Sequence, residues 1–169
     1  MSVQRSGGEI YTSMQTGEID AAEWVGPYND LAFGFHQIAK YYYYPGWQEP
    51  GPTLEVIINK QALESLPEDL QAIVESAARA ANQNMLDEYT ARNNAALIEL
   101  VETHGVQVKK LPDDVLAEFQ RISTIVVDEM AAEDPLAQRI TDSMRAFAKQ
   151  SKAYHGISEE AYYKARGKD

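Results

Sequence analysis

Segments with strand character are few in this chain, and helical stretches separate them. Residues 19–25, 40–44, 53–59 and 106–109 carry the β-branched and aromatic residues that suit extended backbone. Dispersed strands pair with strands elsewhere in a sheet, and too few are present here to complete one. The expected fold class is therefore α/β: the C-terminal portion of a two-lobed fold, mostly helical after residue 60. The start of the second lobe and the whole first lobe are expected to be missing.

Between the strands the helix signals are ordinary. Ile10 and Met14 lie one turn apart, and Gly17 is placed as the residue that stops their helix. Asp30 can cap a helix through Ile38, with Leu31, Phe35 and Ile38 at helical spacing. Asn59 can cap the turn after the third strand. Leu66-Pro-Glu-Asp-Leu70 opens a long helix, striped by Ile73, Val74, Ala77, Ala81, Met85, Leu86 and Tyr89, that runs to His104-Gly105. A helix of that length is expected to lie across two parts of a larger body. Leu111-Pro-Asp-Asp opens a helix to about residue 132, with Val115, Leu116, Phe119, Ile122, Val126 and Met130 facing inward. Asp134-Pro135 caps the next, to about residue 152, and the tail from Ser158 reads as a short Tyr-bearing helix or as disordered.

Charge and composition remove whole classes of function. The 169 residues hold 26 acidic and 15 basic side chains, a formal net charge of -11. A nucleic-acid backbone needs clustered Lys and Arg, so no nucleic-acid partner is expected, nor an anionic membrane surface. With no cysteine there is no thiol catalysis, disulfide or thiolate zinc site. No run approaches a membrane span, and the first eight residues contain no apolar core of an export signal.

Chemistry concentrates in two runs. One is Asp20-Ala-Ala-Glu23-Trp24-Val-Gly-Pro27-Tyr28-Asn-Asp30; the other is Tyr41-Tyr-Tyr-Tyr44-Pro-Gly-Trp47-Gln-Glu49-Pro50. Each reads as a strand that delivers an acidic residue and aromatic surface into a Gly/Pro-kinked loop, the place where α/β folds put ligand sites. The plainer reading stands beside it: a Glu after a strand is ordinarily solvated, and a neighbouring Trp ordinarily packs. Of Tyr41–Tyr44, two are expected to pack inward and two outward. Tyr28, Asn29 and Trp47 suit either ligand contact or local packing. His36, His104 and His155 are scattered, without a partner at ligand spacing.

The stretch from Gly7-Gly8-Glu9-Ile10 through Gln15-Thr16-Gly17-Glu18-Ile19-Asp20-Ala21-Ala22-Glu23-Trp24-Val25-Gly26-Pro27 resembles the solute-binding proteins of tripartite ATP-independent periplasmic (TRAP) transporters. The tyrosine run and Pro45-Gly46-Trp47-Gln48-Glu49-Pro50 resemble the subgroup that binds 2-oxo or 2-hydroxy monocarboxylates. The resemblance implies a periplasmic, two-lobed receptor that is not an enzyme. It would capture a small carboxylate ligand in its cleft and deliver it to the membrane subunits of a TRAP permease. It also implies a metal ion, sodium or calcium, beside the substrate, with the Glu23 side chain, the Trp24 main-chain carbonyl and the Glu49 carboxylate as ligands. Some members form homodimers through C-terminal helices. On this reading residues 1–59 belong to the second ligand-binding lobe with its cleft loops, and 60–152 hold the spanning helix, a short strand and packing helices. Residues 153–169 form the tail or a dimerisation helix.

The charge arithmetic gives the metal a reason. A ligand carboxylate about 4 Å from either glutamate would meet a repulsion of roughly 4 kcal/mol at an effective dielectric near 20. A cation between them reverses that sign, and all-oxygen donors suit a hard ion rather than zinc or copper. Two other readings stand beside it: an enzyme using Glu23 and Glu49 as a carboxylate pair, such as a glycoside hydrolase, and a helical interaction module working through residues 66–152, with the N-terminal strands as packing.

Overall fold

The computed structural model describes residues 2–49, 51 and 55–167. The chain divides into two compact units, Met1–Leu111 and Pro112–Asp169.

In the first unit, helix α1 (Gly7–Gln15) opens on a capping box. Ser6 is the N-cap, and Glu9 reaches back to the Ser6 amide at 3.1 Å. It ends as expected at Gly17, whose φ of +74° places it in the left-handed region. The Gly17 and Glu18 N–H groups bond back to the Met14 and Ser13 carbonyls at 3.2 and 2.9 Å. The chain then runs without regular structure to Gly26, so the strand expected over 19–25 does not form. Its first residue is drawn back to α1 by the Ile19 N–H bond to the Ser13 carbonyl, and Ala21, Ala22 and Val25 are exposed.

Helix α2 (Pro27–Ala32) begins three residues before the expected cap. Pro27 occupies the first helical position, where its fixed φ suits a helix start. Asp30 therefore lies inside the helix and is buried. Gly34, at φ +75°, ends this stretch, and a single 3₁₀ turn (Phe35–Gln37) leads into strand β1 (Tyr41–Tyr44). Of the four tyrosines only Tyr42 is half-buried; Tyr41, Tyr43 and Tyr44 are exposed, which corrects the expected two-and-two division.

Of the strand expected over 53–59, residues 53 and 54 lie outside the described residues. Residues 55–59 form no ladder, and Val56, Ile57 and Ile58 are exposed, Ile57 at 84%. Asn59 does cap the next element, α3 (Lys60–Glu64), accepting from the Ala62 N–H at 3.0 Å. Helix α4 (Glu68–Glu102) spans 35 residues, or roughly 50 Å. Gly105 at φ +69° turns the chain, and the Val106 N–H bonds the Leu100 carbonyl at 2.9 Å, so both of these apolar residues are buried. Strand β2 (Gln107–Lys110) then pairs parallel with β1, Tyr41 opposite Gln107 and Tyr44 opposite Lys110. The connection between parallel strands is thus a long helical crossover, as this geometry requires.

The core of this unit is small. Among the described residues, Ile10, Ala96, Leu100 and Val106 are its buried apolar residues. The earlier part of the α4 stripe is open, with Leu70, Ile73 and Leu86 between 42% and 60% exposed.

The second unit is helical. Helix α5 (Asp113–Glu133) packs on α6 (Pro135–His155), and α7 (Glu159–Ala165) follows. Asp134 caps α6 by accepting from the Leu136 N–H at 3.0 Å, as expected. Val115, Leu116 and Phe119 are half-buried, but Ile122, Val126 and Met130 are exposed, contrary to expectation. Two paired helices cover one face of each other, and the seam is made at Ala131 and Thr141, both buried. Arg145 also reaches Asp128 across the pair at 2.6 Å.

Candidate functional site

Glu23 lies in the irregular segment just before α2, and Glu49 lies in the loop that follows β1. Both are exposed, and neither has a hydrogen bond or ion pair among the described residues. Their carboxylates are therefore available to an outside ligand. No cluster of three or more His, Cys, Asp or Glu suited to a metal ion occurs among the described residues. A cation at these two glutamates would need other oxygens to complete its shell.

Trp24 is held from two sides. A methyl group on Gly7 would sit 2.5 Å from the edge of its ring, so a larger residue there would have to push the ring aside. Phe33 meets the same ring at 5.3 Å between centroids, inclined by 56°. The indole Nε1 is buried with no hydrogen-bond partner among the described residues. The ring is thus a packing element that fixes the main chain of Trp24.

Beyond Trp24 the chain is clamped to α4. The Tyr28 N–H donates to Asn93 Oδ1 at 3.0 Å, and Tyr28 Oη donates to Glu88 at 3.2 Å. The Tyr28 ring packs edge-on against Tyr89 at 5.8 Å and lies under the Arg92 guanidinium at 5.3 Å. Arg92 is itself bound to Glu88 at 2.8 Å. The Asn93 side chain also lies against Gly26, with Oδ1 3.4 Å from where a Cβ there would be. Tyr89, Asn93, Ala96 and Leu100 share one face of α4 by their spacing, and the small Ala96 is 4% exposed. The sequence marked Tyr89 only as part of an apolar stripe and passed over Asn93.

Asp30 joins this segment to β1. Its carboxylate, 7% exposed, accepts a 2.5 Å hydrogen bond from Tyr42 Oη. Burial raises the Asp30 pKa. The Tyr42 bond and the nearby Gly26 and Val25 amides oppose the rise, while the charge of Glu23 adds to it. Oδ1 makes no hydrogen bond of normal geometry. The Tyr42 phenol is pushed far above its usual range, first by burial and then by its bond to the carboxylate. The far end of β1 is tied as well, since the Leu111 N–H bonds the Tyr44 carbonyl at 2.8 Å.

Two histidines that looked scattered in sequence meet. His36 and His104 stack at 3.9 Å with planes 28° apart, and His104 approaches Glu99 at 3.7 Å. Burial, then the neighbouring His104, lowers the His36 pKa. The hollows that stand out elsewhere are shallow. One is lined by Arg5, Glu9, Ser13 and Glu18, the other by Leu136, Ile140 and Met144 on α6.

Known proteins resemble the chain closely. Residues 2–134 match the family model DctP, bacterial extracellular solute-binding protein, family 7. A monocarboxylate 2-oxoacid-binding periplasmic protein of Nostoc sp. (strain PCC 7120 / SAG 25.82 / UTEX 2576) is 40% identical over 156 residues, covering 92% of this chain and 43% of that protein. A TRAP transporter solute-binding protein from Bordetella bronchiseptica RB50 superposes with a TM-score of 0.88 at 32% identity. It covers 97% of this chain and 48% of its own. Its crystal is described as a mixed-occupancy dimer with copurified calcium and picolinate in one active site and an apo site. The chain thus spans about half the length of these relatives. The α/β fold, part of a two-lobed architecture, is that of the TRAP receptors. The family consists of binding proteins, not enzymes, which sets aside the carboxylate-pair hydrolase.

Proposed function

We propose, for a chain that belongs to the DctP family of bacterial extracellular solute-binding proteins, that it supplies part of a periplasmic receptor for a small 2-oxo or 2-hydroxy monocarboxylate, captured beside a bound metal ion and delivered to a TRAP permease. The observation that carries the reading is the pair of exposed carboxylates, Glu23 and Glu49, without a hydrogen-bond or ion-pair partner among the described residues, on loops flanking two elements joined by a buried hydrogen bond. The Nostoc relative supports the ligand class, and the calcium in the Bordetella relative supports the metal.

The donors fit a hard cation. Glu23, Glu49 and the Trp24 carbonyl offer only oxygen, which suits sodium or calcium. Calcium takes about six to eight oxygens, so the substrate carboxylate, water and further protein groups would complete the shell. When bound, the ion supplies the positive charge that offsets repulsion between two glutamates and an anionic ligand. Homodimerisation through the C-terminal helices is part of the same proposal. It is supported by the dimer described for the Bordetella relative and by exposed Leu136, Ile140, Met144 and Phe147 on α6.

The test is thermal stabilisation of the protein expressed from its complete natural reading frame, with pyruvate, lactate and a longer 2-oxo acid, with and without calcium or sodium. Metal-dependent stabilisation that Glu23→Gln or Glu49→Gln abolishes supports the reading. Equal stabilisation of wild type and both variants, or none by any of these acids, refutes it.

A further inference from the structure

Glu23 and Glu49 sit on loops without regular structure, so their separation is not set by the loops themselves. Something must hold it if both are to meet one ion, because a shift of about 1 Å in a binding group is enough to spoil such a site. Each loop is anchored at one end only a few residues away. Glu23 lies just ahead of Gly26-Pro27, where α2 starts, and Glu49 lies just beyond Tyr44, where β1 stops. The elements at those two anchor points are joined by the 2.5 Å bond from Tyr42 to Asp30.

We propose that Asp30 and Tyr42 are positioning residues, a buried brace that sets the spacing of the glutamate loops, with Asn93 of α4 pinning the Glu23 side of it. The inference rests on the cation site proposed above but assigns a separate task to residues that touch neither ion nor substrate. Three features point to it. Asp30 is an acidic residue inside a short helix, 7% exposed, where an apolar side chain would cost less unless the bond it makes matters. The bond is short and charge-assisted, the kind that fixes distance and direction together. The charge of Glu23 is also felt at Asp30, which places the brace within electrostatic reach of the proposed ligand.

The experiment uses the protein from its complete natural reading frame and two readouts. The first is calcium affinity by calorimetry, well below the melting temperature of each variant. Tyr42→Phe and Asp30→Ala are expected to weaken calcium binding at least tenfold while each variant stays folded. The double variant should be no weaker than the worse single one, since both remove the same brace. The second is amide hydrogen exchange of the metal-free protein. Tyr42→Phe should speed exchange at the hydrogen-bonded amides of the two anchors, Asp30 and Phe33 in α2 and Leu111 against Tyr44, about tenfold and leave helices α5 and α6 unchanged. Calcium affinity within twofold of wild type in folded Tyr42→Phe, with a Glu23→Gln control that does lose binding, overturns the brace and leaves the receptor reading intact. If wild type binds neither calcium nor sodium, or Glu23→Gln loses no binding, the cation reading fails. Exchange then decides the brace alone: unchanged rates at both anchors overturn it, and selective acceleration upholds it as the device that holds them together.

Discussion

Removing the Tyr42 hydroxyl should destabilise the first unit by an amount that depends on pH. Tyr42→Phe keeps the ring and deletes only the donor to Asp30. A hydrogen bond to a charged group contributes about 1.5–3 kcal/mol, and its loss leaves a carboxylate without its neutral donor in a site that is 7% exposed. A cost of about 2 kcal/mol is therefore expected wherever Asp30 is ionised. The folded pKa of Asp30 already lies above its ordinary value because burial outweighs the hydrogen bond. Deleting the bond raises it further. A carboxyl with a raised folded pKa binds more protons folded than unfolded, so its stability contribution falls as pH rises through the window between the two values. The penalty of Tyr42→Phe should thus be largest above that window. Below the unfolded Asp value of about 3.9 it should shrink toward about 1 kcal/mol, the worth of a neutral bond. Urea denaturation of both proteins from pH 3 to 8, followed by Trp fluorescence, measures this directly. A penalty constant across that range, or below about 0.5 kcal/mol at pH 7.5, would refute the assignment of Asp30 as a buried charge held by Tyr42.

Other substitutions test the clamps around it. Gly7→Ala should drive a methyl into the Trp24 ring, costing about 1–3 kcal/mol by overpacking and shifting Trp24 emission; unchanged emission and stability would contradict the contact. Asn93→Ala leaves the Tyr28 N–H without its side-chain acceptor and should cost about 1–3 kcal/mol, visible as faster exchange of that amide. Asp134→Ala removes the α6 cap and should cost about 1 kcal/mol, read as a lower melting temperature for the α5–α6 unit with calcium binding unaltered.

The parts of the fold that local chemistry decides were legible in the sequence. Asn59 and Asp134 cap their helices because a side-chain oxygen bonds an amide two or three residues on. Gly17 stops α1 because its φ is positive. Strands were legible only where a partner exists. Residues 41–44 and 107–110 satisfy each other, while 19–25 and 55–59, equally strand-like in composition, have no ladder among the described residues. Strand formation is a property of pairs, and one sequence shows single members. Asp30 was misplaced for a different reason: an Asp before apolar residues looks like a cap, yet Gly26-Pro27 is the stronger start signal and puts Asp30 inside the helix. Glu23, Trp24 and Glu49 stood out through their motifs. The residues that anchor their surroundings, Tyr42 and Asn93, did not, because their partners lie far away in sequence.

Helix α4 carries its Tyr28 cradle on residues 88–93, well inside an uninterrupted 35-residue span. An α-helix advances about 1.5 Å and turns about 100° with each residue. Losing a single residue between 72 and 84 would therefore swing the Glu68 end by more than a quarter of a revolution relative to the α2 contact. Steps of about seven residues, two near-complete turns, restore the phase. The helix behaves as a graduated shaft, and its pitch dictates which way the Glu68 end faces relative to the α2 contact.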